Sequence, residues 1–552
     1  MKSFPIDFTR QNKYLSTVKR TVFLLLLAGG LAFGDDFTVT FGERGLSLDP
    51  LHSFFSTESQ LYTALYEGLV TYNPVSLAPT PGVAKRWEIS DDGKTYRFYL
   101  RDEARYSNGD RMRARDFVDS WMRVIDPSAD AEFSFLFDPI LGAQAYRTGT
   151  EKDPSKVGIR AVSDSILEVE LEKPAAHFLK ALCHAIFIPI HPVYLKNGNW
   201  GNAPSLVSNG PFFLSSSTPT EMILERNKLY WDDKHTGVDR VRVVFIDDAK
   251  RETEDFLSGG VNWATGGDYG LLKEEDIEKF VVYWPQFATN YFYFNCDLPP
   301  WNDYRVRRAL SLILPWETIR TKEFHYATDR LVPAIPSYPE VKGISAQDMA
   351  AGKKLLAEAG YPDGKGLPPL VVKVSEGSLG ASVAARMAAA WKELIGLETV
   401  VKEYAYGEYL AEVKKRDFAM GSLSWIGDYA DPLAFLQMWT AGSNLNDARF
   451  ADMDFDRLID SSMGIEDSKE RYEKLAEAEG ILLDRAVVLP INNNPSLNLI
   501  DLERIEGWFP NPLDIHPFKY IHYKTPAVAP GAVMLPATAM DASVEVAFHA
   551  AR

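Results

Sequence analysis

The stretch Leu370-Val371-Val372-Lys373-Val374, the helical run from Ala381 to Leu394, and Glu398-Thr399-Val400-Val401-Lys402-Glu403 decide the class of this fold. The first and third segments are β-branched and strand-length. The middle one has the length and apolar spacing of a helix. Strand, helix and strand in that order form a βαβ unit, which places two parallel strands in one sheet. The chain therefore reads as α/β. Working outward, a helix over Asp303 to Leu314 precedes the unit. A strand Tyr291 to Asn295, before that helix, reads as one that crosses between parts of the molecule. After the unit, the charge-dappled run Lys469 to Asp484 reads as a helix with a solvated face. Val487 to Ile491 returns as a strand.

The amino-terminal half has the same mixed character. Phe37 to Phe41 alternates as a strand, and Ser59 to Tyr66 is helical, with Gly68 expected as a left-handed cap. Ala84 to Ser90 and Thr95 to Arg101 flank Asp91-Asp92-Gly93-Lys94, an Asp-Gly hairpin signal. Ala114 to Val124 reads as a helix, Ile166 to Leu171 as a strand and Ala175 to Cys183 as helical. Met222 to Arg226 and Val241 to Ile246 read as strands. Asp248 to Leu257 is a helix closed by Gly259.

With 552 residues, 46% of them hydrophobic and 24% charged, the chain has material for more than one domain and a large core. A net charge of −17 argues against nucleic acid or anionic lipid as a partner held by broad electrostatics. Aromatic residues reach 12%, which suits an adaptable binding surface as well as a core. The two cysteines, Cys183 and Cys296, exclude a disulfide-dense scaffold and leave open both a single bridge and two buried thiols.

Lys13, Lys19 and Arg20 precede the apolar run that begins at Val22, and small residues follow to Gly34. The run is about 12–13 residues, short of the ~20 needed to span a bilayer. It reads as a signal peptide, residues 1–34, cleaved after Gly34, with no lipobox cysteine. The expected destination is periplasmic. Thr525 to Arg552 lacks periodicity and reads as a disordered tail.

Catalytic signatures do not appear. There is no Gly-rich phosphate loop, no H-E-x-x-H and no G-x-S-x-G elbow. The nine histidines do not cluster, and His184 and His191 read as core or surface residues. No metal site and no cofactor are expected, and the chain is not expected to be an enzyme.

Ser424-Trp425-Ile426-Gly427-Asp428-Tyr429-Ala430-Asp431-Pro432 holds two acids three positions apart beside aromatic residues. Asp431-Pro432 opens a helical pattern, so Asp431 reads as a capping residue. Asp428 has no local duty. Its partner is either a Lys or Arg of this chain or an ammonium group on a ligand, and local sequence favours the first.

A set of segments, in order along the chain, carries a resemblance. They are Tyr66-Glu67-Gly68-Leu69, Ala84-Lys85-Arg86-Trp87 through Thr95 to Glu103, Ser107-Asn108-Gly109-Asp110, Asn209-Gly210-Pro211, Asn302 to Leu310, and Trp425-Ile426-Gly427-Asp428-Tyr429. Together they resemble the bacterial extracellular solute-binding proteins of family 5, the oligopeptide, dipeptide and nickel class of ABC importers. The likeness runs from about Phe37 to Tyr523.

The resemblance implies a two-lobed periplasmic-binding-protein-like fold with an extra domain, mixed sheets and a hinge of two or three strands. Lobe one would comprise residues 36–75, 189–287 and 489–523, the extra domain 76–188, and lobe two 288–488. The implied function is capture of an oligopeptide between the lobes and delivery to a membrane ABC permease, by a monomer. The acid of W-x-x-D-Y, here Asp428, would take the peptide amine, which reverses the local reading.

Ser424, Trp425, Ile426, Gly427 and Tyr429 beside it, with Ser56, Tyr406 and Asn494, complete the implied peptide-binding set. Asn492-Asn493-Asn494, Gly421-Ser422-Leu423 and Gly266-Gly267 depart from the pattern of relatives. A same-fold binder of a nickel chelate, haem or oligosaccharide, and a secreted hydrolase, are the alternatives.

Overall fold

A computed structural model describes residues 36–42, 46–52, 56–197, 206–321, 326–465 and 467–524, apart from the side chains of residues 196, 197 and 406. The expected leader and carboxy-terminal tail lie outside the described residues.

A ten-stranded mixed sheet organises the molecule. Its order is Thr399–Tyr404, Leu370–Ser375, Met420–Ile426, Val281–Phe294, Val488–Ile500, Trp263–Ala264, Asp36–Phe41, Arg240–Phe245, Glu221–Arg226 and Phe212–Ser217. The βαβ unit is there: 370–375 and 399–404 pair in parallel. The helix between them, Leu379–Ile395, starts at Ser378, whose hydroxyl accepts from the Ala381 amide (3.1 Å). It ends at Gly396 with φ +67°, a left-handed conformation that glycine adopts at no steric cost. Val383, Ala384, Met387 and Trp391 recur at helical spacing and face the core of the second lobe with Val372 and Val374. In the first lobe Phe37, Val39, Phe41, Val241 and Val243 alternate along two parallel strands into a separate core.

Two long strands, 281–294 and 488–500, lie in the middle and belong to both lobes. At one end Val281 to Pro285 oppose Leu499 to Pro495, and Leu499 and Ile500 pair with the first-lobe strand 263–264. At the other end Ala288 to Phe294 pair with the second-lobe strand 420–426. Sequence reading finds only the last part of one long strand and the first part of the other, because Pro285, Pro490 and Pro495 interrupt the pattern. The ladder itself yields at these prolines: register shifts fall between Pro285 and Thr289 and between Asn290 and Tyr291. Side-chain amides fill the gap. Asn290 donates to Asn492 and Asn494, and Asn493 donates to Ala288 O (3.1 Å) and Thr289 Oγ1 (2.8 Å).

A second, four-stranded antiparallel sheet is ordered Ala84–Ile89, Thr95–Leu100, Ile166–Glu170 and Ile159–Ser163. Its first pair is the expected hairpin, turned by Gly93 at φ +69°. Two other expectations change. Gly68 is not left-handed. Residues 175–183 form only the short helix Phe178–Ala181. The helix Ser468–Asp484 has its expected solvated face, with Lys469, Glu470, Glu473 and Glu477 exposed, and turns Arg471, Leu475, Ala478, Glu479 and Leu482 inward. Cys183 and Cys296 are free thiols. Among the described residues no helix is long and apolar enough to cross a membrane.

Candidate ligand-binding site

The strand Met420–Ile426 delivers the W-x-x-D-Y segment to the space between the lobes. It pairs along its length with 288–294. On its other edge it meets 370–375 only at Met420 and Gly421. From Leu423 to Ile426 no strand among the described residues pairs with that edge, which leaves room for an extended guest. Gly427 then lies flat against two rings: a Cβ there would come within 2.4 Å of Phe287 and 2.9 Å of Phe435. Its amide donates to Phe287 O (2.8 Å), and Trp425 Nε1 donates to Ala434 O (2.9 Å), so the loop is held from both sides.

The two acids have opposite surroundings. Asp431 accepts from the Leu433 amide (3.1 Å), in keeping with a cap, and from Arg471 in a two-point pair (2.8 Å each). Lys180 stands 3.5 Å away. These cations hold the Asp431 carboxyl below its usual range, against the burial that raises it. Asp428 is also buried, but its Oδ2 has no hydrogen-bond partner. His184 Nε2 is 3.8 Å from Oδ1. His184 is itself kept neutral by burial, its pKa lowered to about 4. Loss of water alone pushes Asp428 up to about 8.

Asp428 opens onto a cavity of about 280 Å³. Ser424, Trp425, Ile426 and Gly427 line it from the same segment, and Ser56 lines it from the start of the helix Ser56–Leu65. Tyr72, Phe133 and His184 line it as well, from parts of the chain far from this segment in sequence. Phe133 packs between His184 (4.7 Å) and Trp425 (6.3 Å). Tyr72 Oη donates to Asp428 O (2.7 Å).

The remaining expected site residues lie elsewhere. Tyr429 is fully buried and stacked on His177, and it does not line the cavity. Asn494 donates to Ser424 Oγ (2.8 Å) within the long-strand amide cluster and likewise stays outside the lining. Tyr406 opens the helix Tyr406–Lys414, but its side chain lies outside the described residues. Sequence reading does not single out Tyr72 or Phe133, and takes His184 as a core or surface residue rather than part of a site. Only the neighbouring Tyr66-Glu67-Gly68-Leu69 segment, of which Tyr66, Glu67 and Gly68 reach the cavity, pointed to this wall.

Among the described residues no group of three or more His, Cys, Asp or Glu could hold a metal ion.

Known proteins resemble this chain over most of its length. Residues 78–447 match the family described as "Bacterial extracellular solute-binding proteins, family 5 Middle". The Bacillus subtilis oligopeptide-binding protein OppA is 29% identical over 81% of this chain and 85% of its own. The Escherichia coli probable deoxycholate-binding periplasmic protein YgiS is 30% identical over 87% and 91%. The solved structure of the E. coli murein tripeptide binding protein MppA is 26% identical, covers 90% of this chain and 100% of that one, and superposes with a TM-score of 0.80. Against the unliganded open form of MppA the TM-score is 0.65. The lobes of this chain therefore stand in an arrangement other than that open one.

Proposed function

The chain belongs to the bacterial extracellular solute-binding proteins of family 5, and on that premise we propose that it captures oligopeptides between its lobes and hands them to an ABC-type permease. Asp428 carries the reading. A carboxyl with no lysine or arginine beside it among the described residues, facing a cavity between the lobes, is complementary to an ammonium group. The open edge beside Leu423 to Ile426 is complementary to the main chain that follows such a group. A peptide brings both, and recognition through main-chain groups leaves its side chains lightly read. A steroid carboxylate, the ligand class in the name of YgiS, brings no cation to Asp428.

In this reading Ser424, Trp425, Ile426, Gly427 and Ser56 contact the guest, and Tyr72, Phe133 and His184 seal it in. Tyr429 and Asn494 support the segment from behind. Lobe one is residues 36–75, 189–287 and 489–523, the extra domain is 76–188, and lobe two is 288–488. The protein acts after export, in the periplasm, as a monomer without a cofactor. It binds and releases its cargo unchanged.

Native mass spectrometry of freshly purified protein tests this. A ladder of peptide masses that dissociates on mild activation is expected. A single fixed mass that is not a peptide would replace the reading with a dedicated non-peptide carrier.

A further inference from the structure

The domain built on the four-stranded sheet touches the second lobe at a series of polar contacts away from the cavity. Lys173 Nζ lies 2.6 Å from both carboxylate oxygens of Asp460, on the helix Met453–Met463. The Ala176 amide donates to Met463 O at the end of that helix (3.4 Å). Asn444 Nδ2 donates to Glu132 O (2.8 Å) and to Ala131 O (3.4 Å). Arg147, fixed by Asp138 at two points (2.8 Å each), extends Nη2 to Gly442 O (3.3 Å). Lys173, Asp460, Asn444 and Arg147 do not line the cavity that Asp428 faces.

The same domain is fastened to the first lobe by a separate set of bonds. Arg123 donates to both carboxylate oxygens of Asp49 (3.1 and 2.7 Å). The Ile190 amide donates to Ser120 Oγ (2.7 Å), and the Ser107 amide to Ser208 O (2.7 Å). Apolar packing continues across to the second lobe: Phe117 and Phe137 share one buried cluster with Phe435, Phe455 and Leu475.

Resting on the peptide reading and the lobe division above, we propose that the extra domain is the latch of this receptor. It rides with lobe one and receives lobe two on closure. Through Lys173, Asn444 and their partners it sets how long a guest is held, without touching the guest. A contact made only in the closed form stabilises that form whatever occupies the cavity. It therefore raises the affinity for every guest by one common factor, the change in the closed population. That suits a site which reads main chain rather than side chains. Escape requires opening, so the latch acts on the rate of dissociation.

The two kinds of contact differ in weight. Lys173 and Asp460 keep 55% and 64% of their side chains exposed, so their attraction is modest in water. Reversing one charge converts it into repulsion and makes the pair readable. Asn444 is partly buried and serves two main-chain oxygens, so its loss removes a whole hydrogen bond.

Stopped-flow dissociation of a free-amine alanine tripeptide, with X-ray scattering of the ligand-free protein, tests the proposal. Lys173→Glu should speed dissociation about threefold and Asn444→Ala about fivefold, with association unchanged. Lys173→Glu combined with Asp460→Lys should restore the wild-type rate. The ligand-free radius of gyration should grow in both single variants and return in the exchanged pair. Unchanged dissociation and unchanged scattering in both single variants overturn the latch. So does a fall in the urea midpoint with neither readout altered, since the contacts would then be permanent. If the wild type bound no tripeptide, the peptide reading would fail, and the scattering comparison alone would decide the latch.

Discussion

The phenol of Tyr72 donates to the main-chain oxygen of Asp428 (2.7 Å) and leaves the carboxyl of that residue untouched. One lobe thus grips the backbone of the other at the residue whose side chain is kept unpaired. Further bonds act beside it: Lys180 Nζ reaches Ala430 O (3.3 Å), and Asn444 Nδ2 donates to Glu132 O (2.8 Å). The closed arrangement is held by contacts around the acid, not through it.

Tyr72→Phe removes one neutral hydrogen bond that forms only on closure. Such a bond contributes about 1 kcal/mol net. Affinity for a bound peptide should fall roughly fivefold, with the unfolding midpoint unmoved. Titration calorimetry alongside a urea melt would show it. A loss of global stability without loss of affinity would mean that the bond serves folding instead.

Asp428 makes closure of the empty cleft pH-dependent. In the closed form its carboxyl is raised to about 8, and the groups around it, His184, Tyr72, Cys183 and Tyr429, are all held neutral. In an open, watered cleft it returns towards the ordinary value of 3.8. The closed form therefore binds the extra proton, and between roughly pH 4 and 8 empty closure becomes easier as pH falls. The radius of gyration of ligand-free protein by X-ray scattering should shrink from pH 8.5 to 5.5 in wild type. Asp428→Asn should be compact at both. Expansion on acidification would refute the sign.

A second substitution at this position separates guests by their amino end. Leaving a buried charge without its partner costs roughly 3–5 kcal/mol. Asp428→Ala should weaken free-amine peptides by that amount and N-acetylated peptides far less. Parallel losses for both would place the amine elsewhere.

Arg471 and Asp431 are 3% and 1% exposed and bind each other at two points. Arg471→Ala strands a buried carboxylate, so stability should drop by roughly 3–5 kcal/mol in chemical denaturation. Replacing both partners by apolar residues of like size should restore much of it. A single variant as stable as wild type would show that Lys180 suffices.

Glu479, on the same helix, accepts from the amides of Leu331 (2.8 Å) and Val332 (2.9 Å) and from Tyr338 Oη (2.9 Å). Burial still raises it to about 7. Its folded pKa exceeds the unfolded one, so the stability it contributes is complete below about pH 4.5 and is lost as pH rises through 7. Glu479→Gln should flatten that part of the stability–pH curve, read as the urea midpoint from pH 5 to 8. An unchanged slope would reject the assignment.

How much of this was legible depends on whether the controlling interaction is local. The βαβ unit was, since alternation, helical spacing and the turn residues all lie within one short stretch. The 281–294 strand was only partly legible, because its middle contains Pro285 and survives by pairing across a broken ladder. The solvated face of the helix Ser468–Asp484 was legible, but its buried charges were not, because Arg471 and Glu479 turn inward to partners far away in the chain. Asp428 could be singled out as an acid without a local duty, and family likeness suggested the role proposed for it. Tyr72, Phe133 and His184 could not, since the wall they form exists only when the lobes meet.

The interrupted ladder between the two long strands has a mechanical corollary. Paired prolines supply no amide protons there, and asparagine side chains stitch the gap. Side-chain amides can swap partners without unzipping a sheet, so this is the compliant point of the molecule. A receptor articulated at such a seam can settle at slightly different angles for guests of different bulk, while the rigid sheets on either side keep their shape.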